Sequence, residues 1–152
     1  MFLDNVLRFG EGEGYLDGAV FEGELGVKFK KHFTMEKVTE KIARYSQILT
    51  AYIEDLAEER NTALGGTADC NVIADSKNHQ YQLTRIGWEG RKYYFIVLLH
   101  FSIKPDGKVW IQQNNTEILI GGELEQRGVE KMDIVVGFRP AYLREATGYA
   151  VA

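Results

Sequence analysis

The apolar residues Val38, Ile42, Tyr45, Leu49, Tyr52 and Leu56 recur at alternating spacings of four and three. That is the stripe of an amphipathic helix, and Ile48 and Ile53 widen it. The pattern predicts a helix from Met35 to Arg60, stopped by Asn61 and the Gly65-Gly66 pair. A helix laid on a sheet is the plain explanation of such a stripe; a helical dimer seam is the sharper one. Glu36/Glu40, Lys37/Lys41 and Glu54/Glu58 fall on the other faces, as on a solvated surface rather than in a paired-carboxylate site.

Beyond the glycines the period changes from helical to alternating. Cys70 to Ala74 and Gln80 to Ile86 read as strands around the polar turn Asp75-Ser76-Lys77-Asn78. In the second, Tyr81, Leu83 and Arg85 alternate with Gln80, Gln82, Thr84 and Ile86, so one face is the more apolar. Glu89-Gly90 makes the next turn. Arg91 to Ile103, with aromatic and β-branched residues on both faces, is expected to be a central strand buried on both sides. Pro105-Asp106-Gly107 is a tight turn, because proline presets its own φ and glycine accepts a positive one. Lys108 to Gln113 then pairs back to give an antiparallel meander.

A second helix is expected to begin with Asn115 or Thr116 as its cap and to end at Gly128, with Ile120 and Leu124 facing the sheet. Gly121 and Gly122 inside it each cost about 1 kcal/mol, which points to a close backbone approach. Ile134-Val135-Val136 reads as a short strand. Pro140 precedes a single helical turn through Tyr142 and Leu143, and Tyr149 to Ala152 is extended. The sum is an α+β domain: a long N-terminal helix and a shorter second helix on a mainly antiparallel sheet of four or five strands.

The first 34 residues break this regularity, with the run GEGEGYLDGAVFEGELG followed by KFKKH. Two readings compete: a true extension, with a β-hairpin around Tyr15 to Leu25, or sequence upstream of an initiator at Met35, which is the favoured one. Gly10, Gly12, Gly14, Gly18, Gly23 and Gly26 argue against a stable helix there. The domain is expected to span residues 35–152.

Composition narrows the class. At 152 residues, 45% apolar and 26% charged, the chain has enough material for one core. A single cysteine, Cys70, excludes an internal disulfide and a cysteine-built zinc site, and fits a reducing cytoplasm. The longest apolar run, Tyr93 to Leu99, is far short of the roughly 18 residues of a membrane span, and no signal pattern opens the chain. The formal charge of −4 repels phosphate backbones as a whole. Lys28, Lys30, Lys31 and His32 form the compact basic cluster, inside the doubtful extension, while Arg85, Arg91, Lys92 and Arg144 are dispersed.

No catalytic constellation is visible. His32, His79 and His100 lack metal-ligand spacing, no HExxH or GxSxG occurs, and GEGEG lacks the strand and helix of a dinucleotide loop. Neither metal nor cofactor is expected. Trp110, Gln112, Asn115 and Glu117 gather where the hairpin meets the second helix; caps and turn formers are the plain reading, a recognition surface the sharper one. His100 reads first as a hydrogen-bonded sheet histidine on the face of Tyr94, Ile96, Leu98 and Ser102, and second as a ligand or base. Trp88 and Trp110 are core aromatics or interface anchors.

The ordered set Gly87-Trp88, His100, Gly107-Lys108-Val109-Trp110-Ile111-Gln112, Thr116-Glu117, Glu123-Leu124, Gly128-Val129, Asp133-Ile134-Val135 and Thr147 to Val151 resembles the XisI family of excision controlling factors. The likeness runs from Met35 to Ala152, and the helix beginning at Met35 resembles the usual family start. Departures are small: glycine at 121 where alanine is usual, arginine at 139 where histidine is common. The resemblance implies a cyanobacterial accessory protein similar to the factor needed for excision of the fdxN element, with strand cleavage left to a separate recombinase. It also implies a protein partner, an XisH-type polypeptide or a recombinase complex.

The expected function is therefore a non-enzymatic regulator that binds a partner through Trp88, His100, Trp110, Gln112, Asn115, Thr116 and Glu117, with a homodimer as a further option. Direct DNA binding as an architectural excision factor is the first rival. A hydrolase or ligand-binding fold using His100 and Glu117 is the second.

Overall fold

The computed structural model describes residues 24–66 and 68–152, with side chains from residue 34. The predicted hairpin around Tyr15 to Leu25 and the basic cluster's side chains lie outside the described residues, save that Glu24 and Leu25 are already helical. Two compact units are formed, Met1–Thr39 and Glu40–Ala152. In the first, the helix carries a Thr39 hydroxyl that donates to the Met35 carbonyl at 3.0 Å.

Helix α1 runs Glu24–Leu64 rather than from Met35 to Arg60. Its earlier start shows how little one glycine weighs once a helix is nucleated: Gly26 costs about 1 kcal/mol, while each further residue adds a backbone bond at little entropic cost. Its later end frees Asn61 from the stop signal assigned to it. Gly65 and Gly66, both at positive φ, are the real terminator.

In the second unit the stripe is buried as its period requires. Tyr45, Leu49, Tyr52, Ile53 and Leu56 form one core with Leu83, Leu99, Phe101, Ile103, Val109 and Ile111 of the sheet. Every member of the stripe within this unit is part of that core or packed against it, as a helix laid on a sheet requires. The strands are β1 (Ala68–Asp75), β2 (Gln80–Glu89), β3 (Lys92–Ile103), β4 (Val109–Asn114) and β5 (Ile134–Val136), in the order β1-β2-β3-β4-β5. The first four are the expected antiparallel meander, and β5 returns parallel to β4 after helix α2, Ile120–Gln126. The α+β architecture is the one expected, with five strands.

Turn chemistry follows the sequence. Asp75 accepts from the Lys77 and Asn78 amides at 3.0 Å each, and Gly90 and Gly107 hold positive φ at the next two hairpin ends. Gly128, at φ +100°, closes α2 as predicted, and Ile120 and Leu124 are buried. Two expectations change. Helix α2 starts at Ile120, because Asn114, Asn115 and Thr116 spend their side chains on the preceding turn instead of capping it. Of its glycines, Gly121 has the close neighbour, since a Cβ there would come within 2.5 Å of the Tyr149 ring, whereas Gly122 faces open space.

Strand β3 is not buried on both sides along its length. Leu98, Leu99, Phe101, Ser102 and Ile103 are buried, but Tyr93 is 51% and Phe95 69% exposed. Helix α1 covers one face of the sheet, and among the described residues nothing covers the other toward the β2–β3 turn.

The last segment closes the opposite edge. A short helix α3, Ala141–Arg144, follows Pro140, and the Ala150 amide donates to the Ile134 carbonyl at 2.9 Å while Ala150 bridges Val135. No described helix is long and apolar enough to cross a membrane.

Candidate functional site

Two irregularities in the ladder decide where the predicted site residues point. Leu83 pairs with Leu99 and Arg85 with Ile96, so β3 carries one extra residue between these pairs. Such a bulge shifts the two-residue alternation. His100 therefore lies on the face opposite Ile96, not with it, while Ser102 remains its neighbour. A second bulge sets both Gln112 and Gln113 between the pairs that hold Phe101 and Leu99.

On the face away from α1, a polar row results. The His100 Nε2 lies 2.9 Å from Gln80 Oε1, and burial pushes its imidazole pKa below the usual range. Gln112 Nε2 donates to the buried Ser102 hydroxyl at 2.8 Å. Trp110 beside them lies under the Arg144 guanidinium, 4.8 Å from the ring centre, and near Lys104 Nζ at 5.5 Å. Gly137 makes room for this pair: a Cβ there would stand 2.9 Å from Gln112 Oε1 and 3.0 Å from the Trp110 ring. These residues are partners of one another.

The junction before α2 is organised by Asn114, which sequence reasoning passed over. Its Oδ1 accepts from the Thr116 amide at 3.0 Å and the Thr116 hydroxyl at 2.6 Å, and its Nδ2 donates to the Ile118 carbonyl at 2.9 Å. An Asn followed two positions later by Thr is the signal that could have exposed this turn. Asn115 ties the loop back to β3, donating from Nδ2 to the Val97 carbonyl at 2.9 Å and accepting from Gln113. Glu117 is exposed at the loop's outer side.

Trp88 is separate from all of these. It lies by the β2–β3 turn, 60% exposed, its ring 5.2 Å from that of Tyr93. His100 and Glu117 form no pair, since His100 bonds Gln80 and burial alone moves its pKa. Among the described residues no cluster of His, Cys, Asp and Glu could hold a metal ion. Cys70 is buried, and that burial raises its thiol pKa.

What the structure adds is a groove of about 300 Å³ beside the Asn114 turn, walled by Ile111, Ile118, Ile120, Val136, Phe138 and Tyr149. Leu119, 86% exposed, stands on its rim. Asn114 and Tyr149 are its polar members, and the Tyr149 hydroxyl is held by Glu125 at 2.8 Å. Burial, aided by that carboxylate, raises the Tyr149 pKa. A wall of this kind favours an apolar side chain over a charged substrate.

A long helix across one face of a mixed five-stranded sheet, with the parallel strand entered through a short glycine-bearing helix, defines an α+β domain of a definite type. Residues 39–151 match the family described as XisI protein, and the chain belongs to that family. Two solved structures have the same fold. One is an XisI-like protein from Anabaena variabilis, 32% identical, TM-score 0.67, the match covering 73% of this chain and 99% of that one. The other is the fdxN element excision controlling factor XisI from Anabaena variabilis, 28% identical, TM-score 0.62, covering 74% of this chain and 99% of that one. No curated protein matches the chain at a significant level.

Proposed function

We propose that this protein is an accessory factor in the excision of a DNA element by site-specific recombination, acting by binding a protein partner rather than by chemistry of its own. The excision role rests on the family and on the similarity to the fdxN element excision controlling factor. The partner in this reading is an XisH-type protein or the recombinase complex itself.

The observation that carries the binding mode is the apolar groove beside the Asn114 turn. Its rim residue Leu119 is a large apolar side chain almost wholly in water, and its wall offers contact area without a charged group. Exposed apolar features of this sort mark places where proteins meet. The polar residues around it are bonded to each other, which fixes the rim instead of presenting reactive groups.

The test is native mass spectrometry of the full chain mixed with an XisH-type protein. A defined mixed complex is expected, weakened at least about 10-fold by Leu119→Glu, the effect of placing a charge in an apolar contact. Absence of a complex overturns the reading. In that case a mobility shift with duplex DNA at moderate salt, falling steeply as salt rises, would put direct DNA binding in its place.

A further inference from the structure

Among the described residues nothing covers the sheet face away from α1 toward the β2–β3 turn, and its side chains there are largely apolar. Ile73, Ile86, Trp88, Tyr93, Phe95 and Val97 share it, as the pairs Ile86–Phe95, Trp88–Tyr93 and Thr84–Val97 require. Phe95 is 69% exposed, Trp88 60% and Ile73 52%. From Gln82 to Val97, no position on this face of the hairpin's two strands carries a charge. The cations of the hairpin's two strands lie on the other side, where Arg85 and Lys92 stand over the Tyr94 ring at 4.9 and 4.7 Å, and Arg91 belongs to the turn.

We infer that this face is the interface of a homodimer, two sheets packing face to face across a two-fold axis. Charge selects the occupant. A polyanion needs cations among the aromatics, and those of the two strands are on the reverse side. Two copies of a chain carrying −4 meet at least electrostatic cost where the surface carries few charges; the β2–β3 part of this face carries none, and Asp69 of β1 lies at its edge.

Size agrees. At roughly 200 Å² per aromatic side chain, the exposed parts of Trp88, Tyr93, Phe95 and Ile73 offer on the order of 400–500 Å² per copy. That is the apolar centre of a standard interface of about 800 Å² per partner, with Asp69, Asn71 and Gln82 left as its polar rim. Within the second unit the stripe of α1 is spent on the core, so this face and the groove beside Leu119 are the apolar surfaces open to a partner.

Sedimentation velocity of the full chain from ~1 to ~100 μM should show a species of twice the 17.3 kDa chain mass growing with concentration. Phe95→Glu and Trp88→Glu, with folding checked by circular dichroism, should each weaken it about 100-fold or more. Tyr142→Glu, at an 81% exposed position on α3, should leave the mass unchanged. Leu119→Glu should also leave it unchanged, which separates this interface from the partner groove. A monomer at every concentration overturns the inference, and so does a dimer that persists in folded Phe95→Glu. Should the glutamate variants not fold, hydroxyl-radical footprinting of the unmodified chain decides. Protection of Trp88, Tyr93 and Phe95 at high concentration supports the dimer, and equal labelling at both ends of the range rejects it.

Discussion

His100 shows how one side chain's meaning depends on a neighbour far away in the chain. Its alternation with Ile96 and Leu98 placed it on their face, and a bulge in β3 moved it to the other, against Gln80. Its burial has a consequence that can be measured. The folded protein keeps the imidazole neutral to a lower pH than the unfolded chain does, because desolvation disfavours the cation. Its contribution is therefore fully present above the unfolded value of about 6.5 and is lost as pH falls through the depressed folded value. Urea denaturation at about pH 7.5 and about pH 5.5 should show a loss of stability on acidification that is smaller in His100→Gln. An identical loss in the variant would place the pH sensitivity elsewhere.

Among the elements, α1 does more than supply an apolar stripe. Asn61, near its end, donates from Nδ2 to the Cys70 carbonyl at 2.9 Å and accepts from the Cys70 amide at 2.6 Å. Strand β1 is the outermost strand, so its outward backbone groups lack a ladder partner, and one amide side chain stands in for the missing strand. Asn61→Ala is expected to destabilise the fold by about 1–3 kcal/mol, the cost of leaving two backbone groups unpaired. The check is the urea midpoint, and a change under about 0.5 kcal/mol would show that water replaces the side chain at no loss. From the same helix, Lys41 and the buried Tyr45 hydroxyl donate to Asp133 at 3.0 and 2.8 Å, which ties α1 to the start of β5. Burial raises the Tyr45 pKa, so this hydroxyl stays a donor throughout the neutral range.

For the whole molecule, charge and shape act against each other. A formal charge of −4 keeps copies apart, while the apolar face of β2 and β3 is the surface proposed to draw them together. Salt screens the first and spares the second. The dimer should thus tighten as ionic strength rises, whereas binding to DNA would weaken. Sedimentation at about 50 mM and about 500 mM salt measures this, and dissociation at high salt would mean that ion pairs hold the interface.

The sequence by itself determined the elements that depend on local rules. The stripe from Ile42 to Leu56, the turns at Asp75, Gly90 and Gly107 and the left-handed stop at Gly128 are written in spacing, in side-chain bonds to nearby amides and in glycine's access to positive φ. The ordered residues from Gly87 to Val151 likewise carried the family. Only the tertiary structure decided which side of the sheet His100 occupies, since a bulge is set by pairing with a distant strand. It also decided that Asn114 rather than Asn115 organises the turn before α2, and that Gly121 is small for the sake of Tyr149. The exposure of Phe95 and Trp88 could not be read either. A strand apolar on both faces looks the same in sequence whether a second layer covers it within the chain or a second molecule must do so.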